Sequence, residues 1–262
     1  MNRILMLKIS LIVLSLLILS GCSQAPPENA DEIIARSVKA HGGEKLSDWE
    51  TLSIEGTIEM RDGIIFNAAY ILLAQKNGKL KVEHDLTADN GRRFIEYFMN
   101  DGLAWRRTNL MRGRGNLQQM KQWFNECYGI SYYADNAEIF ILKEDAQVEW
   151  KEKPDKNSQE YNVIETKPAY VVAAVIGQDT TDLYFDKKNF LLLQESKRNS
   201  KRIFWAHKKF SGVNMPTKIN QITVSRRGED IVPVTYSTVE FNNPIEDWVF
   251  EEDKPESGTN RQ

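Results

Sequence analysis

The first pattern along the chain is an apolar run over residues 9–19, broken only by Ser10 and Ser15 and preceded by Arg3 and Lys8. A charged start followed by an apolar stretch and small residues is the layout of an export signal. The run is about half the roughly 20 residues that span a bilayer, so a permanent transmembrane helix is the weaker reading. Residues 23–30, SQAPPENA, are polar and contain prolines, which predicts an extended tether.

Beyond the tether the hydrophobic period becomes helical. Ile33, Ile34, Ser37, Val38 and His41 share a face over 31–40, Asn29 or Asp31 can cap the start, and Gly42 and Gly43 end it. Residues 51–60 then alternate strictly, Leu52, Ile54, Ile58 and Met60 against Ser53, Glu55, Thr57 and Glu59, as in a strand with one dry face. After a turn at 61–63, residues 64–75 are apolar on both alternating faces. This predicts cover on both sides, one face on a helix and the other lining an interior, in a sheet that curls around a cavity or a helical plug.

Strand patterns recur at 79–86, 92–99 and 103–108, the last two joined by Asn100, Asp101 and Gly102. Residues 116–128 break the rhythm, with Leu117, Met120, Trp123, Phe124 and Cys127 three and four apart, an amphipathic helix. Its aromatic stripe reads as core against the sheet, which is compatible with a position in the mouth of a half-barrel. Strands resume at 148–151, 160–165, 169–176, 181–185, 191–195, 202–210, 218–225 and 232–241. Roughly ten or eleven strands at this spacing predict a large antiparallel sheet or barrel. No domain boundary is evident between 31 and 250, and 251–262 reads as a polar tail.

Composition adds exclusions. Removing 21 residues from 262 leaves 241, and 41% hydrophobic content suits one sizeable core. Without Arg3 and Lys8 the balance is 32 basic against 37 acidic side chains, or −5, which gives no basis for nucleic-acid binding. The two cysteines are Cys22 and Cys127. If Cys22 is modified, no disulfide can form within the chain, and Cys127, among aromatic residues, reads as a buried inert thiol.

Catalytic signatures are missing: the sequence has no GxSxG, HExxH, phosphate loop or CxxC. His41, His84 and His207 have no second ligand at metal spacing, and each reads as structural or surface. Asp and Glu residues on the clear strands fall on the wet face. Arg92, Arg93, Arg106, Arg107, Arg112 and Arg114 form one basic concentration. It reads as a solvated strand face paired with acidic neighbours, or as a contact for anionic lipid heads.

Leu19, Ser20, Gly21 and Cys22 resemble the lipobox of bacterial lipoprotein precursors. The resemblance implies cleavage before Cys22 and acyl chains on it, enough to hold a protein on a membrane. The expected organisation is a signal peptide at 1–21, a lipidated tether at 22–30, a folded domain at 31–250 and a tail at 251–262. Ser23, where an aspartate would favour the inner membrane, implies the outer membrane if the organism has one.

A second resemblance runs through the folded part. Ala40, His41, Gly42 and Gly43 with Leu46, Leu52 and Gly56, then Leu183 to Asp186 with Leu191 to Leu193, Phe210 to Pro216, and Val239 to Pro244 with Phe250, are together similar to LolA-like outer-membrane lipoprotein-sorting proteins. This implies an unclosed, curved antiparallel half-barrel whose concave face is plugged by helices and holds acyl chains.

The expected protein is a non-enzymatic envelope lipoprotein without cofactor or metal. Its partners would be membrane lipid through Cys22 and an acyl-chain ligand or lipoprotein facing the periplasm. Phe66, Ile71, Leu73, Met120, Trp123 and Phe124 are the expected cavity residues. The alternative is an envelope sensor or assembly factor that binds a protein partner with the same fold. A hydrolase would require polar groups converging inside the cavity.

Overall fold

A computed structural model of the chain describes residues 26–61, 65–86, 94–154, 158, 160–226 and 228–251. The expected signal peptide, Cys22, Arg92, Arg93 and residues 252–262 lie outside the described residues, as does the side chain of Phe66.

Helix α1 (Ala30–His41) starts at Asn29, whose side chain accepts from the Glu32 amide at 2.9 Å, and stops at Gly42, where φ is 130°. That angle is open to glycine and strained for other residues. A single 3-10 turn, Gly43–Leu46, buries Leu46 and leads to the sheet.

The first half of the sheet is a run of antiparallel neighbours: β1 (Thr51–Arg61), β2 (Ile65–Gln75), β3 (Lys79–Asp85), β4 (Phe94–Asn100), β5 (Leu103–Thr108) and β6 (Arg112–Arg114). Helices α2 (Leu117–Glu126) and α3 (Ile130–Asn136) follow. The second half is β7 (Ile139–Glu152), β8 (Asn162–Ile176), β9 (Asp179–Asp186), β10 (Leu192–Lys197), β11 (Ser200–Trp205), β14 (Lys218–Ser225) and β15 (Gly228–Phe241). A separate hairpin, β12 (Lys208–Phe210) with β13 (Val213–Met215), sits between β11 and β14.

Among the described residues the large sheet has 13 strands in the order β6-β5-β4-β3-β2-β1-β15-β14-β11-β10-β9-β8-β7. First and last strands, β1 and β15, pair with each other, so the two halves join in the middle. Its ends, β6 and β7, do not pair, and the sheet is not closed. The segment linking those two edges is the one that carries α2 and α3. The helices therefore pass from one edge to the other across the inner face.

Three apolar clusters hold this arrangement together. The first packs α1 and α3 on the inner face of β8 to β11 and β14, around Ile33, Ile130, Leu183 and Phe185. The second packs α2 and Trp49 on β1 to β4, around Leu52, Leu80 and Met120. The third lies on the opposite face, since Ile203 and Trp205 belong to it while Phe204 belongs to the first. There the far half of the β7–β8 hairpin folds over the sheet. Trp150 stacks on Trp205 at 5.8 Å, and Asn220 Nδ2 donates to Lys151 O at 2.8 Å.

Several expectations need correction. The sheet and its hairpin contain more strands than the ten or eleven read from the sequence, and α3 was not anticipated. Strand β7 begins at Ile139 rather than 148 because a register shift between Lys143 and Ala146 destroys the alternation. The stretch 202–210 is divided at Ala206, where φ is 51°, into β11 and β12. Strand β2 is not covered twice. Ala68, Leu72 and Ala74 are buried on the inner face, whereas Ile71 and Leu73 are half-buried on the outer face beside Glu83 and Lys81.

Candidate functional site

The inner face carries a cavity of about 140 Å³, lined by residues from β1, β2, β3, β10, β11, β14 and β15 and covered by α2. Its apolar wall includes Ile54, Ile58, Leu72, Val82, Phe204 and Ile219. Strand alternation explains the selection: from β2 the even-numbered Tyr70 and Leu72 point inward. Helix α2 is placed by Asn116, whose side chain accepts from the Gln119 amide at 3.1 Å. That cap turns Trp123 onto the cavity, edge-on to Tyr97 at 5.1 Å.

The expected cavity residues divide. Trp123 lines the cavity. Met120 and Phe124 lie on the same helix but in the second core cluster, Met120 fully buried and Phe124 edge-on to Trp49 at 6.3 Å. Ile71 and Leu73 sit on the outer face, one residue out of phase with the cavity, and Phe66 carries no described side chain. A period-two error moves a whole strand's candidates to the wrong side.

Polar groups that sequence reasoning missed converge inside. Arg202 of β11 bonds across the strands to Glu195 of β10 and reaches Glu126, the last residue of α2. Burial lowers the guanidinium's proton affinity, but Glu126 and Glu195 outweigh it and hold Arg202 above its ordinary value. Burial raises the Glu126 carboxyl above the usual carboxylate range; Arg202 offsets part of this and Glu195 adds to it. The signal available in the sequence was slight: Glu195 comes two residues after the apolar run Leu191 to Leu193, and a bulge between Leu192 and Gln194 turns it inward.

All three histidines also line the cavity. His41 donates from Nδ1 to Ser37 O at 2.9 Å and accepts the Leu192 amide at Nε2, 3.4 Å, so it joins α1 to β10 as a neutral ring. Ser37 Oγ lies 3.4 Å from the same Nδ1. That nitrogen carries the proton given to Ser37 O, so it is not placed to take one from the hydroxyl. His207 packs edge-on to His41 at 5.8 Å. Burial depresses His41 and His84 to about 4; for His207 burial, then His41 and Lys167, lower the value to about 3. Among the described residues His84 Nδ1 and His207 Nε2 are buried without a hydrogen-bond partner.

The segments that suggested a family come together around this site. Asn214 Nδ2 donates to Ala40 O at 2.6 Å, and the hairpin glycine Gly212 lies against Gly42. Beyond β15, Asn242 accepts the Glu50 amide at its side chain, 2.7 Å, and donates its own amide to Thr51 O. The arginine concentration is on the β4–β5–β6 side of the sheet, where Arg107 pairs with the buried Glu96 and stacks over Phe98. Lys81 meets the same carboxylate at 3.1 Å.

No protein-family model matches the sequence, and no curated protein matches it. Solved structures do. A LolA superfamily protein from Nitrosomonas europaea aligns over 87% of this chain and 99% of its own with a TM-score of 0.54 at 15% identity. A DUF1329 family protein from Desulfovibrio piger aligns over 86% and 98% with a TM-score of 0.55 at 13% identity. At such identities the likeness is one of architecture: this chain has the unclosed antiparallel barrel fold of LolA-like proteins.

Proposed function

We propose that this protein is an envelope lipoprotein, anchored through acylated Cys22, that holds an acyl chain in the inner-face cavity under α2. The observation that carries the reading is the cavity: adjacent strands from both halves of the sheet wall it with aliphatic side chains, and an aromatic helix closes it. A dry space of about 150 Å³ accepts a benzene-sized group. The cavity of about 140 Å³, apolar along Ile54, Leu72, Val82, Phe204 and Ile219 and polar at Arg202, Glu195 and the histidines, suits a short part of one acyl chain against its aliphatic wall as it stands, and a whole chain enters when α2 moves outward. Outer-membrane placement follows from Ser23 on the same reading.

The anchor and the cargo are tested separately. Metabolic labelling with a fatty-acid analogue should mark the wild-type chain and not Cys22→Ala; equal label on both rejects the anchor. Mass spectrometry of organic extracts of the purified protein should return a stoichiometric acyl compound.

A second reading has its own observation. The edge strand β7 leaves Ile139, Ile141 and Leu142 exposed. An unpaired apolar edge is where a protein partner adds a strand. Under this reading crosslinking in cells joins a probe at Ile141 to a defined protein, and no lipid is extracted.

A further inference from the structure

The apolar cavity does not end at its polar residues. A second, polar chamber of about 160 Å³ adjoins it, lined by Gln122, Lys197, Ser200, Lys201 and Thr223 among others. Trp123, Glu126, Glu195, Arg202 and Gln221 line both chambers. One side of this junction is walled largely by aliphatic side chains, and the other by amide, hydroxyl and ammonium groups. Arg202 stands where they meet.

Its two carboxylate partners are not equivalent. Glu195 is fixed in the sheet as the cross-strand neighbour of Arg202 and is 5% exposed. Glu126 belongs to the covering helix, is held to the sheet only from the side chain, and also accepts from Gln122 of its own helix at 3.1 Å. Burial already disfavours its charged form. A guanidinium left with one carboxylate in this setting is costly, whereas exchange of one acid for another is not.

We propose that Arg202 receives the acidic head group, carboxylate or phosphate, of a single-chain amphiphile whose tail fills the apolar chamber, with Glu126 holding that place in the unliganded protein. This rests on the acyl-binding reading and narrows it to anionic ligands. The incoming acid takes the position of Glu126 on the guanidinium. Glu126 then turns toward the polar chamber, where Lys197 lies. A neutral head makes no such exchange, so it leaves the Arg202–Glu126 pair in place and gains nothing from the junction.

The experiment uses the full chain in phosphatidylcholine nanodiscs and three photoactivatable probes with the same C16 tail: the free acid, its lysophosphatidate and its methyl ester. Labelling is located by peptide mass spectrometry. Both acids should label the peptides containing Trp123 and His84 at least about tenfold more than the ester, the ratio expected for one charge-assisted bond. Arg202→Gln should bring the acid-to-ester ratio close to one, Arg202→Lys should keep part of the preference, and Glu126→Gln should raise acid labelling. The two acids differ only in which head chemistry is preferred.

Equal labelling by acids and ester overturns the head-group assignment while leaving acyl binding standing. Labelling by none of the probes removes both. If Arg202→Gln does not fold, the acid-to-ester ratio of the wild type and the response of Glu126→Gln decide the matter.

Discussion

Gly56 of β1 faces Thr235 of β15 so closely that a Cβ added to the glycine would lie 1.9 Å from the Thr235 carbonyl oxygen. The register of β1 on β15 shifts between Glu55 and Gly56, and the glycine is what lets the two backbones approach there. This is also the seam where the two halves of the sheet meet.

Gly56→Ala should therefore cost about 3 kcal/mol or more, since backbone rather than a movable side chain must give way. Denaturant unfolding measures it. A loss within the scatter of ordinary surface substitutions would show that the seam relaxes freely.

Acid should destabilise the protein well before its carboxylates titrate. His41, His84 and His207 have folded values of about 4, 4 and 3, below an unfolded value near 6.5. The unfolded chain thus binds more protons, and the stability they contribute is present above pH ~6.5 and is lost as pH falls toward 4. Each histidine gives a slope of about 1.4 kcal/mol per pH unit in that window. Glu126 acts in the opposite sense, its raised value favouring the fold as pH drops, but one carboxyl does not offset three imidazoles. Melting temperatures between pH 7 and 5 should fall steeply, and His41→Gln should flatten the curve.

Cys127 should behave as structure. Its thiol is buried, donates to Trp123 O at 3.4 Å, and is pushed far above its ordinary range by burial, with Glu126 adding to the shift. Thiol reagents should leave it unmodified until the protein unfolds. Cys127→Ser keeps the donor and should cost less than about 3 kcal/mol.

One residue on each side of the sheet gives a paired control. Trp123→Gln changes the cavity wall and should weaken binding of a fluorescent acyl probe about tenfold, the equivalent of about 1.4 kcal/mol. Ile71→Asn, on the outer face, should leave probe affinity unchanged. Equal losses from both would show that the probe reads stability rather than the cavity.

How much of this was legible in the sequence depends on the pattern each element carried. Strict alternation in 51–60 placed β1 correctly, and the three-four spacing of Leu117, Met120, Trp123, Phe124 and Cys127 placed α2. Strand β2 was placed along the chain but not on its faces, because apolar side chains on both alternating sets from 68 to 74 nearly erase the phase that Asn67 and Gln75 mark at its ends. Only pairing to β1, Ile54 opposite Leu72, fixes which side is inward. Strand β7 was half lost to a bulge, and α3 has no sustained periodicity over its 7 residues. The Arg202 cluster was invisible for another reason: Glu126 is far in sequence from the hairpin pair Glu195 and Arg202, and each looks like an ordinary surface charge until the bulge in β10 and the return of α2 across the sheet bring them together.

Native mass spectrometry of the purified full chain, released gently from detergent, reads whether the inner-face cavity holds an acyl chain. A species heavier than the lipidated protein by one acyl compound is expected, lost at modest collision energy and absent or much reduced in Trp123→Gln. A single unliganded mass, unchanged after incubation with excess long-chain fatty acid, would contradict acyl binding.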